Sequence, residues 1–146
     1  MSDAPIIRVR LLRPEARLPE RATPGSTGFD LYACLETGEL EVGPEPVLVP
    51  TGVALEAPPG LDVQVRPRSG LSARGVMVVL GTIDSDYRGE LLVTMYVLPH
   101  RQPHTVRHGD RVAQMVVSRT VDVALQEAGE LTSTQRATGG HGSTGS

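Results

Sequence analysis

The run Leu61-Asp62-Val63-Gln64-Val65-Arg66 alternates apolar and polar side chains at every step. That period of two belongs to a half-buried antiparallel strand and does not suit a helix. Further runs with strand character recur at short spacing: Ile6 to Leu12, Val47 to Leu55, Val76 to Leu80, Leu91 to Leu98 and Arg111 to Val123. Helical periodicity is nearly absent. The chain carries 12 prolines and 16 glycines, which supply the turns between many short strands. The pattern predicts an all-β, jelly-roll-like barrel or sandwich. One stretch, Ser69 to Gly75, is predicted to form a short helix that cannot stand alone.

At 146 residues the chain has room for one domain with a real core. We divide it into a β domain over residues 1–130 and a tail over residues 131–146, where Thr, Ser, Gly and charged residues take over. The tail lacks the apolar content for a fixed fold and is expected to be mobile until something binds it. With no Trp and one Phe, the core must be built from Val, Leu and Ile. Such a small β domain gains from burying strand surface in an oligomer.

A net charge of −3 gives no global reason to expect nucleic-acid or membrane binding, so any phosphate binding must be local. All 14 basic residues are Arg; the guanidinium fork suits bidentate phosphate contacts, and a compositional bias gives the same count. The single Cys34 cannot form an internal disulfide and is expected to be a buried thiol. The chain shows no apolar stretch of signal-peptide length behind a basic start, and no run approaches about 20 apolar residues. The expectation is a cytoplasmic protein.

Five segments carry polar groups in patterns that suit chemistry. In the tail, four of the seven residues from Gly139 to Gly145 are glycine, with Arg136, His141, Ser143 and Thr144 nearby, so that successive amides can converge on an anion. It is not a Walker loop, which needs a Lys and a following helix; a plain glycine-serine terminus would read the same. Arg66-Pro-Arg68-Ser69-Gly70-Leu-Ser72 leaves a strand and enters the short helix, where an Arg, a Ser hydroxyl and free amides can face one phosphate, or where the arginines are simply solvated.

Gly81-Thr-Ile-Asp84-Ser-Asp86-Tyr87-Arg88-Gly89-Glu90 places three carboxylates beside a Tyr. A calcium loop fails on this spacing, because Arg88 and Met95 fall where oxygen ligands are required. Either a hairpin with exposed acids or a single carboxylate set against a water remains. Ser26-Thr-Gly28-Phe-Asp30-Leu and Gly109-Asp-Arg111-Val-Ala-Gln114 each set a polar group between a turn and a strand, where, taken alone, an acid capping the turn and a Gln bonding backbone are the commoner readings.

Together and in this order, the five segments closely resemble the trimeric dUTP pyrophosphatase family, from Ser26 to Ser146. The resemblance implies a jelly-roll homotrimer with active sites shared between subunits, each closed by a C-terminal tail. It implies magnesium-dependent hydrolysis of dUTP to dUMP and pyrophosphate by water attack on the α-phosphorus. That reaction limits uracil incorporation into DNA and supplies dUMP for dTMP synthesis. By the same resemblance Asp84 holds the deoxyribose 3′ hydroxyl and activates the water, and Tyr87 stacks under the sugar. Arg68, Ser69, Gly70 and Gln114 contact the phosphates, and Asp30 reaches magnesium through water. Arg136, Gly139, Gly140, His141, Gly142 and Ser143 close on the γ-phosphate end, while Thr82, Ile83 and Leu92 complete the substrate contacts.

Two features depart from the family pattern. The stretch between Leu71 and Gly81 is shorter than usual, and the Asn of the base-binding hairpin is missing, with Val78 to Leu80 in its place. Ala137 replaces a glycine after the arginine, and His141 stands where a Phe often stacks on the base. The shortened hairpin leaves a dCTP or broader dNTP hydrolase as an alternative, with a non-enzymatic β-sandwich module as a more distant one. A dCTP deaminase of the same fold is disfavoured, because its chemistry requires a glutamate near the base.

Overall fold

The computed structural model describes residues 3–142 and 145. Its elements in chain order begin with β1 (Arg8–Leu11), β2 (Phe29–Tyr32), β3 (Glu39–Val42), β4 (Val47–Glu56) and β5 (Leu61–Arg66). They continue with α1 (Ser69–Ala73), β6 (Val76–Val78), β7 (Gly81–Ile83), β8 (Glu90–Val97), β9 (His104–Arg107) and β10 (Arg111–Arg119). All strand pairs are antiparallel, in two four-stranded sheets ordered β1-β4-β8-β6 and β2-β10-β5-β7, with β3-β9 as a smaller third sheet. The all-β, jelly-roll-like expectation holds, and so does the single short helix.

The alternation that announced β5 is realised in packing. Val63 and Val65 are buried while Gln64 and Arg66 are not. The same period runs through β8, whose Leu91, Val93, Met95 and Val97 are almost wholly shielded while Leu92 faces solvent. Each such side chain contributes about 1.5–3 kcal/mol on burial. They meet Leu31, Val112, Ala113 and Met115 from β2 and β10, so one aliphatic core joins the two large sheets. Cys34 is a free, buried thiol, as expected.

Several boundaries differ from the sequence reading. Strands β2, β3, β7 and β9 are only three or four residues long, too short for their periodicity to register. The last strand stops at Arg119 rather than Val123, and Val121, Val123, Leu125 and Leu131 beyond it are exposed. Extended, exposed chain therefore begins before residue 131. The expected base-binding hairpin is not a hairpin. β6 pairs with β8 and β7 with β5, so Val79 and Leu80 carry the chain directly from one large sheet to the other. Two residues are enough for a tight hairpin turn, but Val79 and Leu80 do not form one, and the Val79 amide stays bonded to the Thr94 carbonyl at 2.9 Å. Among the described residues no helix is long and apolar enough to cross a membrane.

Candidate active site

The sequence-predicted residues fall into three places. The first is a corner built on β2, β10 and the entry to α1. The register puts Asp30, Gln114 and Arg66 in one row across β2, β10 and β5. Asp30 is nearly buried and lies between two guanidinium groups, 3.5 Å from Arg68 Nε and 3.7 Å from Arg111 Nε. Arg68 Nη1 also donates to the Arg111 carbonyl at 3.4 Å, which ties the two arginines to one corner. Gln114 Nε2 donates to the Pro67 carbonyl at 2.9 Å and so fixes the loop that delivers Arg68.

Arg68 is the N-cap of α1 in an extended conformation, and no side chain caps the first turn. The leading amides of a helix have no partner within it, so those of Ser69 and Gly70 are left for solvent or an anion. Both residues are exposed. Gly28 is required here, because a Cβ at that position would overlap Gln114 Oε1 and stand 3.0 Å from its Cβ and Cδ.

The second place is a cavity of about 220 Å³ walled by Thr82, Ile83, Asp84, Tyr87, Glu90, Leu91 and Leu92. It gathers five of the predicted substrate residues from β7, the turn after it and β8. The turn is held by the Tyr87 amide donating to the Asp84 carbonyl at 3.0 Å. The Tyr87 hydroxyl donates to the Glu90 carbonyl at 2.9 Å, leaving the ring 44% exposed and available to a ligand. Asp84 is exposed at the cavity wall. Burial pushes the Glu90 carboxyl up, but the Arg13 guanidinium and the Gly52 amide outweigh it and hold the group below the ordinary carboxylate range.

The third place is the tail. Arg136 Nε donates to the Gly139 carbonyl at 2.9 Å, and the Gly139 amide returns a bond to the Arg136 carbonyl at 3.0 Å, closing a small turn. Gly139 and Gly140 are half-buried; Arg136, His141 and Gly142 are exposed. Ser143 lies outside the described residues. Ala137 and His141 sit at φ values of 49 and 51°, a left-handed region that favours glycine.

Within one chain the first two places are apart. β2 and β7 form opposite edges of their sheet, three strand spacings or about 14 Å from one another. The structure adds residues the sequence reading did not single out. Arg111 stood inside a quoted segment, with the turn before it now seen to be closed by Asp110 accepting the Arg107 amide at 2.8 Å. Arg13 and Glu90 are 77 residues apart, and no local pattern signals their pairing.

An arginine-rich corner and a separate acid-bearing cavity on one antiparallel scaffold equip a protein to act on an anionic small molecule. The dUTPase family model matches residues 14–145, and the chain belongs to that family, whose members are hydrolases. It is 49% identical over 145 residues to the deoxyuridine 5′-triphosphate nucleotidohydrolase of Treponema pallidum subsp. pallidum, covering 96% of this chain and 99% of the relative. It is 44% identical over 142 residues to the protein of the same name from Neorickettsia sennetsu, covering 92% and 94%. The fold matches a mutant of the Staphylococcus bacteriophage 80alpha dUTPase solved with dUpNHpp, at TM-score 0.80 and 23% identity over 97% of this chain and 99% of that one. It also matches a mutant of the dUTPase from phage phi11 of S. aureus, described with a structural Mg(II) ion, at TM-score 0.75 and 23% identity over 86% and 97%.

Proposed function

We propose that the chain hydrolyses dUTP to dUMP and pyrophosphate with magnesium, by attack of water on the α-phosphorus, and that Asp84 orients and deprotonates that water. The observation that carries this reading is the cavity in which Asp84, Tyr87, Thr82, Ile83 and Leu92 share one wall. A carboxylate on a turn pinned at both ends is well placed to hold a water, and an exposed Tyr face beside it suits a deoxyribose ring. Arg68, Ser69, Gly70 and Gln114 would take the phosphates, and the guanidinium charge offsets the repulsion that a triphosphate presents to a nucleophile. Arg136, Gly139, Gly140, His141 and Gly142 would fold over the far phosphate and exclude bulk water, as a mobile tail can.

The corner offers magnesium one nearly buried carboxylate, Asp30, beside the residues that would take the phosphates. Magnesium usually keeps several waters and takes one or two carboxylates plus substrate phosphates, which is the part Asp30 would play through water. When bound, the ion supplies charge neutralisation on the phosphate oxygens.

We further propose a homotrimer with shared sites, in the cytoplasm, consuming dUTP before it reaches DNA and supplying dUMP for dTMP synthesis. The separation of Asp30 from the Asp84 cavity favours sites completed by a neighbouring subunit. So do Val121, Val123 and Leu125, which alternate along an extended, exposed segment. An apolar cavity of about 540 Å³ lined by Ile7, Val9, Phe29, Met115 and Val117 offers such a segment a place to dock.

A second reading, a pyrophosphatase with altered base choice, is favoured by the direct β6-to-β7 crossing at Val79 and Leu80. Pyrophosphate release from dUTP, dCTP, dTTP and UTP in the presence of magnesium separates the two. We expect dUTP to be turned over far faster than the others. Equal rates across the panel would defeat uracil selection, and no release from any of them would defeat the enzyme assignment.

A further inference from the structure

We propose that Arg13 is a positioning residue for the acid-bearing turn, acting through Glu90 on Tyr87. The inference rests on the reading of Asp84 and Tyr87 as substrate-facing groups. Arg13 does not line their cavity. It follows β1 in a loop, and its Nη2 donates to Glu90 Oε2 at 2.5 Å while Nη1 donates to Oε1 at 3.3 Å. Glu90 Oε2 also accepts the Gly52 amide at 2.8 Å. Gly52 sits at φ +69° with no room for a Cβ beside Ala16, and its carbonyl accepts the Leu12 amide at 2.7 Å, so the residue is held on both sides. The Arg13 and Glu90 side chains are only 27% and 21% exposed, and bidentate charge-assisted pairs of this kind fix geometry as well as adding energy.

What makes the pair more than a brace for β8 is where its far end leads. The carbonyl of the same Glu90 receives the Tyr87 hydroxyl, and the Tyr87 amide closes on the Asp84 carbonyl. A Cβ on Gly89 would overlap the Tyr87 hydroxyl, so the ring lies directly against the backbone between them. An angular error at Glu90 therefore passes straight to Tyr87 and the turn. Without Arg13, the shielded Glu90 carboxylate would keep the Gly52 amide but lose its paired cation, and it would move to find water.

The test uses the full chain with Arg13→Ala, Arg13→Lys and Tyr87→Phe, alone and combined. Amide hydrogen exchange reads position without depending on turnover. In Arg13→Ala the Tyr87 amide should exchange about tenfold faster while the Val93 amide in mid-β8 keeps its protection. Turnover of dUTP should fall about tenfold to a hundredfold, mostly in kcat, because sub-ångström misplacement acts on the reacting geometry. In a Tyr87→Phe background the same substitution should cost less than about threefold, since the bond it works through is already gone. Arg13→Lys should recover part of the loss.

Unchanged Tyr87 exchange overturns the proposal. So does a uniform rise along β8, or an Arg13→Ala cost that multiplies in full with that of Tyr87→Phe. Loss of the underlying reading looks different: the wild-type chain would then fail on dUTP while the exchange result still judges Arg13.

Discussion

Gly28→Ala tests whether the corner around Asp30 and Gln114 is packed as tightly as its geometry implies. The new Cβ would overlap Gln114 Oε1 and crowd two more atoms of that side chain, so the amide must swing away. Swinging it breaks the 2.9 Å bond from Gln114 Nε2 to the Pro67 carbonyl. A partly buried hydrogen bond is worth about 1 kcal/mol, and forcing a side chain off a well-packed position costs about 1–3 kcal/mol more. The sum is about 2–4 kcal/mol, or roughly 4–16 °C in Tm for a chain of this size. Thermal unfolding at fixed protein concentration measures it, since any oligomer makes Tm concentration-dependent. The control is Gln114→Ala, in which Gly28→Ala should cost less than about 1 kcal/mol, because Oε1 and Cδ are gone and only the Cβ at 3.0 Å remains to give way. A Gly28→Ala protein as stable as wild type, or one that loses the same amount in both backgrounds, would refute the reasoning.

Asp84→Asn keeps the shape of the turn but cannot accept a proton from water, so steady-state turnover of dUTP should fall by about three orders of magnitude while a non-hydrolysable analogue still binds. Turnover within about tenfold of wild type would remove Asp84 from the role. His104 concerns stability against pH. Burial first, and then the Arg74 charge, lower its pKa below the ordinary 6.5, with Asp110 opposing. The folded protein thus prefers the neutral ring, and the unfolded chain binds the extra proton. Stability is intact above pH 6.5 and is lost as pH falls from there through the lowered folded value. Tm measured downward from pH 7 should fall less steeply in His104→Gln than in wild type, and parallel curves would exclude the effect.

The fold was legible wherever a strand was long enough for its period to count. β4, β5, β8 and β10 have six to ten residues; β5 and β8 bury alternate positions as their pattern predicted, while β4 and β10, each interrupted by a register shift, bury adjacent residues such as Thr51 to Leu55 and Val112 with Ala113. β2, β3, β7 and β9 were not legible, because three or four residues are too few for an alternation to show, and their pairing is decided by neighbours far along the chain. The short helix was legible from its glycine stop, and Gly75 takes φ +79° just beyond it.

At the site, types of residue were visible and their partners were not. Asp84 and Tyr87 come from one turn, so a single segment announces them and the cavity keeps them together. Asp30 looked like a local cap, yet its carboxylate faces Arg68 and Arg111, which arrive from other parts of the chain. Gln114 shows that two readings of a residue need not compete. It does bond backbone, as an amide beside a turn often does, and the backbone it bonds is the Pro67 carbonyl that aims Arg68. The local reading explains why the side chain is fixed, and a fixed amide is what a phosphate-contacting group requires. Where the chain departs from its family, the same logic limits what local pattern can say. The loss of residues between β6 and β7 reads as a shorter hairpin in sequence. In three dimensions β6 and β7 do not pair with one another, because β6 joins β8 in one large sheet and β7 joins β5 in the other.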